Sequence, residues 1–336
     1  MRMHPDEHWM RLALSAACHG VEADINPRVG CVLVSAHGEH LATGWHRGAG
    51  TEHAEVDALR QAGDRAHGAS AYITLEPCHH TGRTGPCTQA LADAGVARVV
   101  YAVADPWPAA AGGARWLREQ GITTVEGVLA DEAEQVNETW LHRVRTGRPW
   151  VVWKFAATLD GRSAATDGTS RWITSSAARA DVHAQRARCG ALLVGTGTVL
   201  ADDPRLTIRG VDGAPAALRV VMGLRDLPDR ARVRDDAAAT VHLRTRDPEQ
   251  ALAVLAGQRI HRVWLEGGPT LAAAFLRCGL VDEIVTYVAP ALLGAGRAAV
   301  ADLGITTIDA ALRLHTTDVC VIGGDVRITT RTDRKG

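Results

Sequence analysis

Four chemically active side chains fall between residues 53 and 87: His53, Glu55, Cys78 and Cys87. One imidazole and two thiolates can hold a Zn²⁺ and leave its fourth tetrahedral position to water. That is the arrangement of a catalytic site rather than a structural one. Glu55 follows His53 by two residues. If His53 opens a helix, Glu55 lies in its first turn, near enough to handle the protons of a water whose pKa such a metal lowers to about 7. A closed structural site is the competing reading. It needs a fourth protein ligand, and His79 and His80 directly follow Cys78. Two unpaired buried thiols are the plainest alternative.

Pro77 and Pro86 each precede a cysteine and complete an H-x-E…P-C…C pattern. The zinc-dependent nucleobase deaminases carry this pattern. In them an activated water attacks the amine-bearing ring carbon and a glutamate moves the protons. The loop between the cysteines, H-H-T-G-R-T-G-P at 79–86, is long for a zinc protein. Its glycines let backbone N–H groups approach an anion, and Arg83 offers a bidentate fork. Arg83 is therefore either a phosphate contact or a solvated loop arginine. Asn26 is either a turn former or a hydrogen-bonding partner for the heterocycle. His46 is either a phosphate contact or an ordinary loop residue.

The elements that must position these groups alternate. A helix runs from Pro5 towards Gly20, strands cover Val29 to Val34 and Leu41 to Trp45, and Ala54 to Gln61 form a helix. Ser70 to Leu75 read as a strand ending at Glu76-Pro77-Cys78. Thr88 to Ala94 read as a helix with Cys87 at its positive end, which favours the thiolate. Ala97 to Val103 read as another strand, and Asp131 to Arg145 as one exit helix. This alternation predicts a three-layer α/β/α domain over residues 1–146. T-G-R-P at 146–149 breaks the pattern, and a second domain covers 149–336.

In the second half, Lys154 on a predicted strand is either a snorkelling edge lysine or a charge beside a bound ligand. Gly195 and Gly197 follow a strand and permit close backbone approach. E-G-G-P-T-L at 266–271 places a strand, a Gly-Gly turn and a helix start in succession, which suits a nucleotide phosphate. It is not the G-x-G-x-x-G fingerprint, so a standard dinucleotide domain is not indicated. These residues by themselves indicate a nucleotide or phosphate binder.

N-P-x-V-G-C-V at 26–32, T-x-H-A-E at 51–55 and L-E-P-C-x-H-x-G-R-T-x-P-C at 75–87 resemble the deaminase domain of the bifunctional riboflavin-biosynthesis deaminase/reductase family. K-F-A-x-T-L-D-G-R, S-R-W-I-T, G-T-G-T-V-L-A-D-D-P-x-L-T and L-E-G-G-P-T-L resemble its reductase domain, in the family's order. The resemblance implies a cytidine-deaminase-like first domain and a dihydrofolate-reductase-like second domain using NADPH. It implies zinc on His53, Cys78 and Cys87, with Glu55 as proton donor. Ala157, Trp172, Thr198, Asp202 and the run Gly268, Pro269, Thr270, Leu271, Ala272, Ala273 and Ala274 fall at nicotinamide-cofactor positions. Ser170, Arg186, Leu206, Arg209 and Glu266 fall at sugar-phosphate positions. The expected substrate is a phosphorylated diaminopyrimidinone ribosylamine, first deaminated and then reduced at the ribosyl group to ribityl. Asp202 and Glu266 are the carboxylates to test for proton handling or hydroxyl binding; a helix cap and a turn residue are their plainer roles. The chain departs from the family at 105–114. D-P-W-P-A-A-A-G-G-A puts Trp107 where the family usually has Asn, and no Lys follows.

Composition narrows the classes. The 37 basic and 38 acidic residues give a net charge of −1, which lacks the surplus a nucleic-acid binder needs. No apolar run reaches membrane-spanning length, and the N-terminus lacks a signal-peptide core, so a cytoplasmic protein is expected. Seven scattered cysteines suit a reducing compartment. Cys18, Cys31, Cys189, Cys278 and Cys320 read as core filler. A homo-oligomer, dimer or tetramer, is expected. The rival readings are a nucleoside or tRNA deaminase fused to an unrelated phosphate-binding domain, and a non-enzymatic zinc module with a nucleotide-sensing domain.

Overall fold

The strand Gly30–Val34 is buried along its whole length, and its residues divide between two cores. Cys31 and Leu33 join Ala54, Ala58 and Leu91 on one side; Val32 and Val34 join Met10, Tyr72 and Trp140 on the other. That period of two is what a strand covered on both faces requires. The computed structural model describes residues 4–80, 85–108 and 110–332. The chain divides after Thr146 into two compact units.

The first unit runs α1 (Pro5–Ala17), β1 (Gly30–Val34), β2 (His40–Trp45), α2 (Ala54–Ala62), β3 (Ser70–Leu75), α3 (Cys87–Asp93), β4 (Arg98–Val103), α4 (Gly113–Glu119), β5 (Thr123–Glu126), α5 (Ala130–Val136) and α6 (Glu138–Thr146). Its sheet has the order β2-β1-β3-β4-β5. β1 pairs antiparallel with β2 and β3, and β3, β4 and β5 are parallel. Helices α2, α3 and α4 share one core with the sheet, and α1, α5 and α6 share the other. Gly44 explains how α2 comes so close to β2. A Cβ there would lie 2.3 Å from the carbonyl oxygen of Ala54, so only glycine fits.

The predicted exit helix is two helices. Asn137 breaks it between α5 and α6, at φ −111°. Its side chain accepts from Arg28 N at 2.8 Å and donates to Arg28 O at 2.8 Å. Two bonds that satisfy buried backbone ahead of β1 replace one more helical turn.

The second unit runs β6 (Trp150–Thr158), β7 (Arg162–Ala164), α7 (Ser176–Ala187), β8 (Ala191–Gly195), α8 (Thr196–Asp202), β9 (Leu218–Met222), β10 (Thr240–Leu243), α9 (Pro248–Gly257), β11 (Arg262–Leu265), α10 (Pro269–Arg277), β12 (Glu283–Ala289), β13 (Arg297–Ala298), β14 (Leu314–Ile322) and β15 (Asp325–Thr332). Its main sheet has the order β10-β9-β8-β11-β6-β12-β15-β14, and β13 pairs with β7. From β10 to β12 the strands are parallel, and β15 and β14 extend the sheet antiparallel. α7 is capped by Ser175, whose hydroxyl accepts from Ala178 N at 3.2 Å. Asp282 pins the start of β6 by accepting from both Arg148 nitrogens at 2.7 Å and from Val151 N at 2.8 Å.

Outgoing connections diverge between β8 and β11: β8 leads towards β9, and β11 leads across to β12. Open α/β sheets bind ligands at such a switch point, beyond the carboxyl ends of the strands. Among the described residues no helix is long and apolar enough to cross a membrane. The cysteine expectation needs correction. Cys31 and Cys189 are buried, but Cys18 and Cys278, each just past a helix end, are exposed, and Cys320 is half-buried.

Candidate active sites

His53 is the residue before the first turn of α2, with extended backbone, and Glu55 sits inside that turn, 4% exposed. β3 delivers Cys78 three residues past its end, and Cys87 is the first residue of α3. His53 Nδ1 stands 3.2 Å from Cys87 Sγ and 3.6 Å from Cys78 Sγ. All three donor atoms lie within 4.8 Å of one another. Bond lengths of about 2.3 Å to sulfur and 2.0 Å to nitrogen give a tetrahedral zinc site donor separations of roughly 3.5–3.8 Å. The residues fit the metal. His79 does not complete a closed site: its Nδ1 lies 2.9 Å from Thr88 Oγ1, and its ring stacks on Trp116 at 5.0 Å. Among the described residues the cluster contains neither His79 nor His80.

Burial pushes Glu55 up to about 7, and the Cys78 thiolate adds to the effect. Cys78 is pushed down to about 4 by its hydrogen bond from Cys87 and by His53, against the cost of its burial. Cys87 rises because it supplies that bond and is buried. A divalent cation between the two thiols would favour the thiolate at both.

Asn26 and His46 meet beside this cluster. His46 donates from Nδ1 to the Glu52 carbonyl at 2.9 Å, which leaves Nε2 to accept from Asn26 Nδ2 at 3.2 Å. The His46 ring lies edge-on to His53, with centroids 5.4 Å apart. His46 is buried with both nitrogens engaged, so it is placed to orient Asn26 rather than to grip a phosphate. Arg83 lies outside the described residues. Asp57, fully buried on α2, received no notice in the sequence. It binds Arg47 at 3.0 Å and Arg60 at 2.6 Å and accepts from Trp45 N, tying the loop before His53 to the helix.

The divergent segment at 105–114 is held from below. Glu76 accepts from Asp105 N at 3.1 Å and Ala114 N at 2.9 Å. Gly113 rests on the Pro77 carbonyl, where a Cβ would come within 1.9 Å of the oxygen. Trp107 between these anchors is half exposed and lies 6.4 Å from the His80 ring.

In the second unit a cavity of about 1850 Å³ opens over the carboxyl ends of the parallel strands. Eleven Lys and Arg residues line it against three carboxylates, so it is built for anions. Lys154, Ser170, Arg186, Leu206, Arg209 and Glu266 all line it, as do Trp172, Thr198, Asp202, Gly268, Pro269, Thr270, Leu271 and Ala274. Ala157, Ala272 and Ala273 do not; they are buried, and Ala272 packs beneath the sheet beside Phe275. The expected run along 268–274 is interrupted because a helix turns every third or fourth residue into the core.

Arg186 forks onto Glu266, with Nε to Oε1 at 2.6 Å and Nη2 on Oε2, and Trp264 Nε1 also donates to Oε1. Burial would raise the carboxyl, but Arg186, Lys154 and Trp264 overcome it and hold Glu266 at about 2. Lys154 projects from β6, a central strand, so it is no edge lysine; burial lowers its pKa. His183 was missed. It accepts from Arg209 N at 3.3 Å, and burial with the nearby Arg186 and Arg209 charges holds it down at about 4. Trp172 is exposed under the Arg179 guanidinium, 4.2 Å from the ring centroid.

Comparison with known proteins decides what these two sites belong to. Residues 149–328 match the family model for the RibD C-terminal domain, and residues 3–103 match the cytidine and deoxycytidylate deaminase zinc-binding region. The riboflavin biosynthesis protein RibD of Mycobacterium tuberculosis is 51% identical over 304 residues, covering 89% of each chain.

The chain belongs to the RibD family.

The RibD of Escherichia coli is 44% identical over 326 residues, covering 86% of this chain and 89% of its own. The RibD structure from Acinetobacter baumannii aligns at a TM-score of 0.91 with 38% identity, over 98% of this chain and 99% of that one. A diaminohydroxyphosphoribosylaminopyrimidine deaminase/5-amino-6-(5-phosphoribosylamino)uracil reductase from Thermotoga maritima aligns at 0.89 with 30% identity over the same shares. The fold is accordingly a cytidine-deaminase-like domain followed by a reductase domain of dihydrofolate-reductase type. Both halves of the bifunctional RibD enzyme of riboflavin biosynthesis are present, the first a zinc-binding deaminase and the second an NADPH-dependent reductase.

Proposed function

We propose that His53, Cys78 and Cys87 hold the catalytic zinc, and that Glu55 carries protons during hydrolytic deamination of a phosphorylated diaminopyrimidinone ribosylamine. The observation that carries this is the triangle of donor atoms with the buried Glu55 carboxyl two residues from His53. Zinc bound there would bring its water's pKa to about 7. Glu55, buried in the first turn of α2 beside the cluster, takes a proton from the nucleophile and returns it to the departing amine. Asn26, fixed by His46, offers its amide to the heterocycle. Arg83 remains the proposed phosphate contact in the loop between the cysteines.

In the second unit, NADPH supplies hydride when bound, and the cavity residues orient it against the ribosyl carbon. Trp172, Thr198, Asp202, Gly268 to Leu271 and Ala274 line the cofactor side. Lys154, Ser170, Arg186, Leu206 and Arg209 line the sugar-phosphate side. Glu266, ionised far below neutrality, accepts hydrogen bonds from sugar hydroxyls and is not the proton donor. A cytoplasmic setting and a small-molecule substrate rather than nucleic acid fit the net charge of −1. Self-association finds support in β14, a terminal strand whose Val319 and Val321 are exposed.

The test is a product mass. Protein supplied with zinc, the diaminopyrimidinone ribosyl phosphate and NADPH should exchange amine for carbonyl and gain two hydrogens. Exchange without hydrogens would reject the reductase assignment, hydrogens without exchange the deaminase assignment, and no change the substrate.

A further inference from the structure

Seven arginines that line the cavity have no role in the account above, and two of them, Arg225 and Arg246, follow neighbouring strands. Arg225 follows β9 and Arg246 follows β10, and both line the cavity. β9 and β10 are parallel with Met222 opposite Leu243, and Gly223 N donates to Leu243 O at 3.0 Å. The turns after them therefore leave the sheet side by side. Two of the neighbouring charges are already engaged. Arg244 pairs with Asp226, and Asp247 caps α9 by accepting from Glu249 N at 2.9 Å. Among the described residues, the side chains of Arg225 and Arg246 have neither a hydrogen-bond nor an ion-pair partner. Arg225 also leans towards the switch point: a Cβ on Gly197, at the start of α8, would stand 3.1 Å from its Nη2.

The sheet order gives these cations their meaning. Gly268 begins the turn into α10 after β11, and β8, β9 and β10 succeed one another on that side. At about 4.8 Å per strand, the β9–β10 boundary lies roughly 12 Å from β11. A dinucleotide with its pyrophosphate at the glycine turns and its nicotinamide end towards β6 therefore carries its adenosine ribose across β8 to that boundary. The sugar-phosphate side proposed above lies towards Lys154 on β6 and Arg209. The only group by which NADPH differs from NADH is the phosphate on that ribose, and unpaired guanidinium groups are suited to hold it.

We propose that Arg225 and Arg246 clamp the 2′-phosphate of NADPH and set the preference for NADPH over NADH. The inference rests on the reading that this cavity seats the cofactor.

The experiment compares wild type with Arg225→Ala, Arg246→Ala and the Lys replacement at each position. Steady-state reduction is measured with NADPH and with NADH, and binding with 2′,5′-ADP and with 5′-AMP. Each Ala variant should lower kcat/KM for NADPH about tenfold or more and weaken 2′,5′-ADP by a similar factor. NADH turnover and 5′-AMP binding should not move, and Lys should restore part of the loss. Both side chains are exposed, so the unchanged NADH rate also reports an intact fold. Equal losses with both cofactors, no loss with either, or a rise confined to the KM of the sugar phosphate would overturn the clamp. A wild type that reduces its substrate equally well with NADPH and NADH would overturn it too. Absence of reduction with either cofactor would sink the underlying reading and the clamp with it.

Discussion

His46 and Asn26 are joined side chain to side chain, Nε2 to Nδ2 at 3.2 Å, and the backbone carbonyl of Glu52 decides which of the two donates. The carbonyl takes the Nδ1 proton, so the other ring nitrogen must accept. Asn26 thus keeps its carbonyl oxygen and one amide hydrogen still to place beside the His53, Cys78 and Cys87 cluster. His46→Ala should cost deamination about as much as Asn26→Ala, near tenfold. The double variant should lose little more, because the two act as a unit. Multiplicative losses in the deaminase assay would show that they act separately.

Glu55→Gln should keep the zinc and lower the deamination rate by about 10²–10⁴-fold, the usual worth of a positioned acid–base group. Reduction of already deaminated substrate should be unaffected. Metal analysis beside the two separate assays checks this. A variant that retains deamination would remove Glu55 from the chemistry.

Cys78→Ser and Cys87→Ser should each lose zinc at neutral pH, since a serine hydroxyl is a poor ligand where a thiolate is needed. Deamination should disappear in both while reduction persists. Zinc per chain, measured after gel filtration, is the readout; full occupancy in either variant would mean that the metal sits elsewhere.

The Arg186–Glu266 fork makes a pH prediction. Glu266 has its carboxyl near 2 in the folded chain against an ordinary value of 4.5. Its folded value is depressed, so its contribution is full above about 4.5 and is lost as pH falls towards 2. That contribution is on the order of 3 kcal/mol, and about three-fifths of it should vanish by pH 3. Urea unfolding of wild type and Glu266→Gln between pH 6 and 3 should show the gap between them closing. A constant gap would mean that the fork leaves the carboxyl's protonation unaltered.

Gly113→Ala tests the support beneath the zinc cluster. Its Cβ would lie 1.9 Å from the Pro77 carbonyl oxygen, one residue before Cys78, and rigid backbone cannot yield as a side chain can. A loss of about 1–3 kcal/mol is expected, together with weaker zinc retention. Thermal unfolding and chelator competition measure the two effects. Unchanged values for both would show that the loop adjusts freely.

Much of this was legible because local pattern and tertiary need agreed. The strand Ser70 to Leu75 has the bounds expected of a run ending at Glu76-Pro77-Cys78, and Cys87 opens α3. The approach of His53, Cys78 and Cys87 could be anticipated from residue types alone, since metal chemistry admits few donors. What stayed hidden depended on partners distant in sequence. Asn137 looks like any helical position until Arg28, 109 residues away, takes both ends of its amide. His183 shows no motif; its character comes from Arg186 and Arg209 converging on it. Ala272 and Ala273 matched a familiar run of letters, but helix geometry turned them into the core.

The grip of Glu76 on the 105–114 segment has a broader consequence. Both anchor points, Asp105 N and Ala114 N, are main-chain groups that every residue except proline possesses. The segment's ends are therefore secured regardless of what lies between them. Substitutions in that interior, where Trp107 stands, can change what faces a substrate ring while the anchors beside Cys78 stay in place. The segment behaves as an interchangeable insert in a fixed frame.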